Sequence, residues 1–244
     1  MPVSKALAEL FVRSRTIPFE RKVRTVPAIT MRPNLSVIFL NAKLYLGRVG
    51  VTAVVGEFRW KGIRPPIASV FVSNNVVAAR HVDFTCQRDY LALVAKYLIL
   101  CVRERHPSVR EVVLAGLSLS GLAAVLVATQ FSLRFAAVIC QLPSFRRENG
   151  RFFMGLSPCI KSDQKLWSCV GDRETKANVS HPPTGLFQVM TQIEGCDADC
   201  AALRPDGYDV RDRKYSGDHD PICWREDLQL ALSWDCRNCY TEMT

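Results

Sequence analysis

Through the middle of the chain, short apolar runs bounded by turn residues alternate with longer stretches whose apolar positions recur at helical spacing. Ser36-Val-Ile-Phe-Leu40 and Ala68-Ser-Val-Phe-Val72 are continuous runs of the first kind, which predicts strands buried on both faces, as in a parallel sheet. The alternation of Lys22-Val-Arg-Thr-Val26 predicts an earlier, half-buried strand. Between Gln87 and Arg105, apolar Tyr90, Leu91, Val94, Tyr97, Leu98 and Cys101 share a helical face, and His106-Pro107 ends it, since proline restricts the residue before it. Glu111 to Ala115 predicts a strand, Leu119 to Phe131 a helix rich in small residues, and Phe135 to Ile139 another strand. The order βαβαβ defines an α/β fold with a mostly parallel sheet flanked by helices. Further on, Leu166 to Val170 and Val210 to Tyr215 predict late strands, with helices near Thr184 to Ile193 and Pro221 to Ser233. Arg146 to Gln164 lacks periodicity and reads as a loop or small cap. Val49 to Phe58 stays open: its β-branched residues suit a strand, while Val51, Val55 and Phe58 also fit one helical face.

Composition narrows the class. The chain has 244 residues, 48% hydrophobic and 23% charged, with no repeat or low-complexity tract, which fits a globular protein with a full core. No internal linker is visible, so one domain over 1–244 is expected, with 1–20 as an N-terminal extension. No apolar run reaches the roughly 20 residues of a membrane span. Met1 to Arg21 mixes charges and Pro18 into its apolar stretch, unlike a signal peptide, so a soluble, cytoplasmic protein is expected. The net charge of +9 favours anionic partners. Its basic residues are scattered, and Arg21 to Arg24 or Arg146 with Arg147 are too short for a nucleic-acid arm. No nucleic-acid partner is therefore expected, and neither a cofactor nor a catalytic metal is expected. Of the ten cysteines, Cys101, Cys140 and Cys169 sit in apolar runs and read as buried free thiols. The spacings of Cys196 and Cys200 with Cys236 and Cys239 leave a four-thiolate metal site or disulfides open.

Candidate chemistry begins where the strand ending at Ala115 meets the following helix. The sequence there is Gly116-Leu-Ser118-Leu-Ser120-Gly121, a small-x-Ser-x-small turn that resembles a nucleophile elbow. The flanking residues must be small because strand and helix nearly touch. A serine hydroxyl needs a base, and His219 follows a late strand in Ser216-Gly-Asp-His219-Asp-Pro. His81 and His106 lie upstream of Ser118, against the Ser, acid, His order of α/β-hydrolases, and His181 stands in a loop before Pro182-Pro183. For the acid, Val170-Gly-Asp172-Arg-Glu174 offers two carboxylates after the intervening strand.

From about Arg21 onward these segments resemble, in order, the catalytic domain of enterobactin (enterochelin) esterases, hydrolases of trilactone siderophores with an α/β-hydrolase fold. The family's Gly-x-Ser-x-Gly-Gly elbow corresponds to Gly116 to Gly121. Its Gly-Gly-His-Asp-x-x-x-Trp-Arg motif corresponds to Gly217, Asp218, His219, Asp220, Trp224 and Arg225, and its Gly-x-x-Glu to Gly171 and Glu174. An upstream Arg-x-x-Glu-Leu-x-Cys-Asn-x-x-Phe segment corresponds to Arg80, Asp83, Phe84, Cys86, Gln87 and Tyr90. The resemblance implies a catalytic Ser118, His219 and Glu174, with Asp172 as the alternative acid, and an oxyanion hole from the N–H groups of Leu119 and Ala42. It also implies Arg80 as a substrate contact, with Arg146 and Arg147 on an overhanging loop. The implied substrate is a ferric catecholate trilactone, a compact trianion whose hydrolysis releases iron for acquisition, with iron present only as part of that substrate. Departures are Leu40-Asn41-Ala42 for the family's Leu-Asp-Gly, Ser120 for the first glycine after the elbow, and Asp218 for the second glycine before the histidine. A general carboxylesterase or acyltransferase, or a siderophore-binding scaffold without activity, are the alternatives.

Overall fold

The computed structural model describes residues 8–13, 20–26, 32–61, 66–73, 83–84, 88–143, 164–181 and 186–235. In chain order its strands are β1 (Ala8–Arg13), β2 (Glu20–Val26), β3 (Leu35–Leu40), β4 (Ile67–Ser73), β5 (Glu111–Leu117), β6 (Ala137–Gln141), β7 (Lys165–Gly171), β8 (Val179–His181), β9 (Leu186–Gln188) and β10 (Asp209–Tyr215). Eight of them form one sheet in the order β1-β2-β4-β3-β5-β6-β7-β10, and β8 pairs with β9 separately. β4, β3, β5, β6, β7 and β10 are mutually parallel. β2 joins β4 antiparallel, and β1 joins β2 the same way, so the segment expected as an N-terminal extension contributes an edge strand.

The helices are α1 (Ala42–Leu44), α2 (Val51–Trp60), α3 (88–105), α4 (Leu119–Gln130), α5 (Gln192–Leu203) and α6 (Pro221–Asp235). α1 runs straight into a π-helical turn, Tyr45–Val49, and α3 carries another, Leu93–Leu98. β3 is buried at every position, and so are Val112 to Leu117 of β5, as expected for strands covered on both faces. α4 is buried from Leu119 through Thr129. Its Gly121, Ala123, Ala124 and Ala128 let it lie close to the sheet, so a helix without a polar face is stable there.

Most expected elements stand within two residues of their places. Val49 to Phe58 resolves as helix, with Gly50 in the left-handed region (φ 68) preceding α2. The strand expected from Phe135 begins at Ala137, because Ser132–Arg134 forms a 3-10 turn first. The helix expected near Thr184 to Ile193 is a correction: Leu186–Gln188 is strand, and α5 begins at Gln192. Thr191 sets that start by a capping box, its Oγ1 accepting the Glu194 N–H at 3.1 Å while Glu194 accepts the Thr191 N–H at 2.8 Å. The Thr-x-x-Glu spacing was the available signal. Arg146 to Gln164 lies outside the described residues except for Gln164. Among the described residues, no helix is long and apolar enough to cross a membrane.

Candidate active site

The connectivity brings the candidate residues to one edge of the sheet. Asn41 and Ala42 follow β3, Ser118 follows β5, Asp172 and Glu174 follow β7, and His219 follows β10. All four strands are parallel, so all four ends lie on the carboxyl side. After β3 the chain moves to β4 on one side and then returns across to β5 on the other. The ends of β3 and β5 therefore flank the reversal of strand order where open α/β sheets form their crevice.

Ser118 occupies φ 56, ψ −124, a conformation that costs a non-glycine residue on the order of 1–3 kcal/mol and persists only where its surroundings enforce it. They do so here. The Ser118 N–H donates to the Gln141 carbonyl at 2.9 Å, and the Ser118 carbonyl accepts from Gly121 N–H at 2.9 Å. A Cβ on Gly116 would stand 2.1 Å from the Ser120 carbonyl oxygen, which makes that glycine obligatory. Ser120, fully buried, does more than a glycine at its position. Its Oγ accepts the Leu117 N–H at 2.9 Å and lies within donating distance of the carbonyls of Leu117 (2.8 Å) and Leu40 (3.1 Å). Ser120 thus ties the serine turn to the end of β3.

In the turn after β3, the left-handed residue is Asn41 (φ 82, ψ 65), and Ala42 begins α1 with an ordinary backbone. Asparagine tolerates the left-handed region better than most residues, so alanine in place of glycine at 42 carries no strain. Leu119 and Ala42 are each the first residue of a helix, where N–H groups lack an intrahelical acceptor.

The histidine loop is laced to the loop after β7. Asp172 N–H donates to the Tyr215 carbonyl (2.9 Å), Arg173 N–H to the Gly217 carbonyl (3.0 Å), and Gly217 N–H to Asp172 Oδ1 (2.9 Å). Gly217 has φ 147, and a Cβ on Gly171 would lie 2.3 Å from the Gly217 carbonyl oxygen. Glu174 Oε1 then reaches His219 Nδ1 at 3.2 Å. The two candidate acids thus differ in contact: Glu174 faces the imidazole, and Asp172 braces the loop. His219, half exposed, rests edge-to-face on Trp224 with ring centroids 4.8 Å apart. Trp224 Nε1 donates to Tyr215 Oη (3.2 Å), and Tyr215 Oη donates to the Asp218 carbonyl (3.1 Å). Burial raises the Tyr215 pKa, keeping the phenol neutral and able to donate. Arg225 Nε donates to the Val49 carbonyl at 2.6 Å, joining α6 to the turn after α1.

Beneath these loops lies a polar cluster that the sequence reading missed. Buried Asp227 accepts from Trp167 Nε1 (3.1 Å), Gln141 Nε2 (3.0 Å) and Arg213 (3.2 Å). Desolvation pushes its pKa up while these donors pull it down. A glutamine closing an apolar strand and an aspartate on the buried side of α6 were the signals. Arg80, Arg146 and Arg147 lie outside the described residues, as do Cys236 and Cys239. Asp83 is fully buried. Cys196 and Cys200 are buried thiols on α5, and among the described residues no cluster of His, Cys, Asp or Glu suits a metal.

The model of the esterase family ("Putative esterase") matches residues 61–234, and the chain belongs to that family. Among solved structures, the enterobactin esterase of Shigella flexneri determined in the presence of enterobactin is similar at TM-score 0.80 and 20% identity, over 97% of this chain and 60% of that one. A siderophore hydrolase, EstA from Aspergillus nidulans, is similar at TM-score 0.69 and 14% identity over 94% and 95%. A ferulic acid esterase is similar at TM-score 0.69 and 14% identity over 95% and 98%. The chain spans about six tenths of the length of the enterobactin esterases it matches. Comparison with curated proteins gives no match.

Proposed function

We propose that the protein is a serine esterase that hydrolyses the lactone esters of a ferric catecholate trilactone siderophore. One observation carries the catalytic part: a serine held in a strained strand-to-helix turn shares a sheet edge with a histidine whose Nδ1 lies 3.2 Å from a glutamate carboxylate. In this mechanism Ser118 Oγ attacks the lactone carbonyl carbon while His219 Nε2 takes its proton. Glu174 holds the imidazole by Nδ1 and stabilises its cationic form. The N–H groups of Leu119 and Ala42 receive the developing oxyanion. Collapse breaks the C–O bond, His219 returns the proton to the departing alkoxide, and water repeats the sequence to free Ser118.

The substrate part rests on the motif resemblance around Gly217 to Arg225 and on the +9 charge, which suits a trianion. Arg80, Arg146 and Arg147 are its proposed anion contacts, and the cytoplasm its proposed location. Two of the similar proteins, an enterobactin esterase and a siderophore hydrolase, are named for siderophore substrates. Likeness to a ferulic acid esterase over nearly its whole length favours, as the second reading, a carboxylesterase of other acyl groups, because fold and triad do not fix the acyl group. Mass spectrometry of products from iron-free and ferric catecholate trilactones decides between them. Linear catecholate esters or monomers are expected. Intact trilactone alongside turnover of small aromatic esters would establish the second reading.

A further inference from the structure

We propose that Gln141 is a positioning residue that locks the three catalytic loops to one another, an inference that rests on the serine-esterase reading above. Gln141 ends β6 in register with Leu117, the residue before the nucleophile, and is fully buried. Its carbonyl accepts the Ser118 N–H at 2.9 Å. Its side-chain amide spends both hydrogens, on the Trp224 carbonyl at 2.7 Å and on Asp227 Oδ2 at 3.0 Å. Its Oε1 faces Tyr45 Oη at 3.4 Å, in the turn that continues α1 from Ala42. Burial raises the Tyr45 pKa, so the phenol stays a donor.

One residue, by its backbone and its side chain, therefore touches the segment carrying each part of the chemistry. Through its backbone it holds the nucleophile's strained turn. Through Trp224 it holds the ring against which His219 rests. Through Tyr45 it reaches the helix whose first N–H is the proposed oxyanion donor. A glutamine is the residue type that fits, because two donors and one acceptor are all used. Glutamate would present acceptors where the Trp224 carbonyl and Asp227 Oδ2 now receive donors. The turn beyond is fixed as well: buried Leu142 takes φ 48 and donates its N–H to the Cys169 carbonyl at 2.8 Å. Leucine adopts that region only where its surroundings hold it.

Catalysis depends on alignment at the sub-ångström scale, so loosening this link acts on turnover rather than on binding. The test is hydrolysis of 4-nitrophenyl acetate by Gln141→Leu, Tyr45→Phe and the double variant, with melting temperatures, at a temperature where every variant is folded. For Gln141→Leu, kcat is expected to fall roughly 10- to 100-fold, the scale of a misplaced catalytic group. KM should change by less than about threefold. Tyr45→Phe should lower kcat by about two- to fivefold and add nothing in the Gln141→Leu background, as coupled sites do. A Gln141→Leu protein that melts earlier but keeps kcat within about twofold of wild type overturns the proposal, as does full additivity of the two changes. Should Gln141→Leu not fold, Tyr45→Phe alone decides, and unchanged kcat overturns it. A wild-type protein without esterase activity contradicts the serine-esterase reading itself and removes this inference with it.

Discussion

The strain at Ser118 and the pairing of His219 with Glu174 make opposite demands on single side chains. The serine turn stores energy that Gly116, Ser120 and Gln141 sustain, whereas the imidazole needs only one carboxylate at Nδ1. Ser118→Ala and His219→Ala are each expected to lower ester hydrolysis by roughly 10³-fold or more, because members of a catalytic unit fail together. Assays on folded protein check this, and more than about a tenth of wild-type activity in Ser118→Ala would refute the assignment. Glu174→Gln should slow kcat more than Asp172→Asn. The Glu174 change removes the charge facing the ring, while the Asp172 change keeps an oxygen for the Gly217 N–H. Equal small effects would point to a Ser–His pair acting without an acid. At this scale the placement of Ser118, His219 and the two carboxylates just after strands was legible, because the apolar runs that precede them are. Gln141 was not, because its value lies in partners far away in sequence, at Tyr45, Trp224 and Asp227.

Elements set how closely those residues approach. The loops after β7 and β10 cross at Gly171 and Gly217, and a methyl group on Gly171 would meet the Gly217 backbone rather than a yielding side chain. Gly171→Ala should therefore push the histidine loop away from Glu174. A destabilisation of roughly 1–3 kcal/mol, typical of overpacking, is expected together with a larger fall in kcat than in thermal stability. An alanine variant with wild-type kcat would show that the crossing does not position His219. In α5, Asp199 is buried, and among the described residues its Oδ2 has no hydrogen-bond partner. Desolvation raises its pKa to about 8. The native protein then retains a proton that the unfolded chain releases near pH 4, so this group costs stability increasingly as pH rises from about 4 to 8. Urea unfolding should show Asp199→Asn gaining on wild type across that window, by an amount on the order of a few kcal/mol at its upper end. A gap independent of pH would contradict it. The start of α5 also shows where periodicity misleads: β9 and its turn mimic a helical pattern over Thr184 to Ile193, and only the Thr191 capping box marks the true start.

The whole molecule was the most legible level. Continuous apolar runs separated by helical stretches specify a parallel sheet with covered faces, whose connectivity brings four loops to one edge. Edge pairings were less visible. β1 depends on β2 for its hydrogen bonds, and β8 and β9 are three residues each, too short for a periodic signal. Net charge also acts at this level. With +9, affinity for a ferric trilactone trianion should weaken with added salt, as exposed charges are screened over about 8 Å at physiological ionic strength. Hydrolysis of a neutral ester should change little. Arg80→Ala should raise KM for the ferric substrate and spare the neutral one, whereas parallel losses insensitive to salt would contradict siderophore recognition. The account stands or falls on whether Ser118 is a nucleophile activated by His219. Treatment with a fluorophosphonate probe, followed by mapping of the modified peptide, tests that most directly. The account predicts one adduct, on Ser118, in the wild type and none in His219→Ala. No adduct, an adduct on another residue, or equal labelling of the two proteins would contradict it.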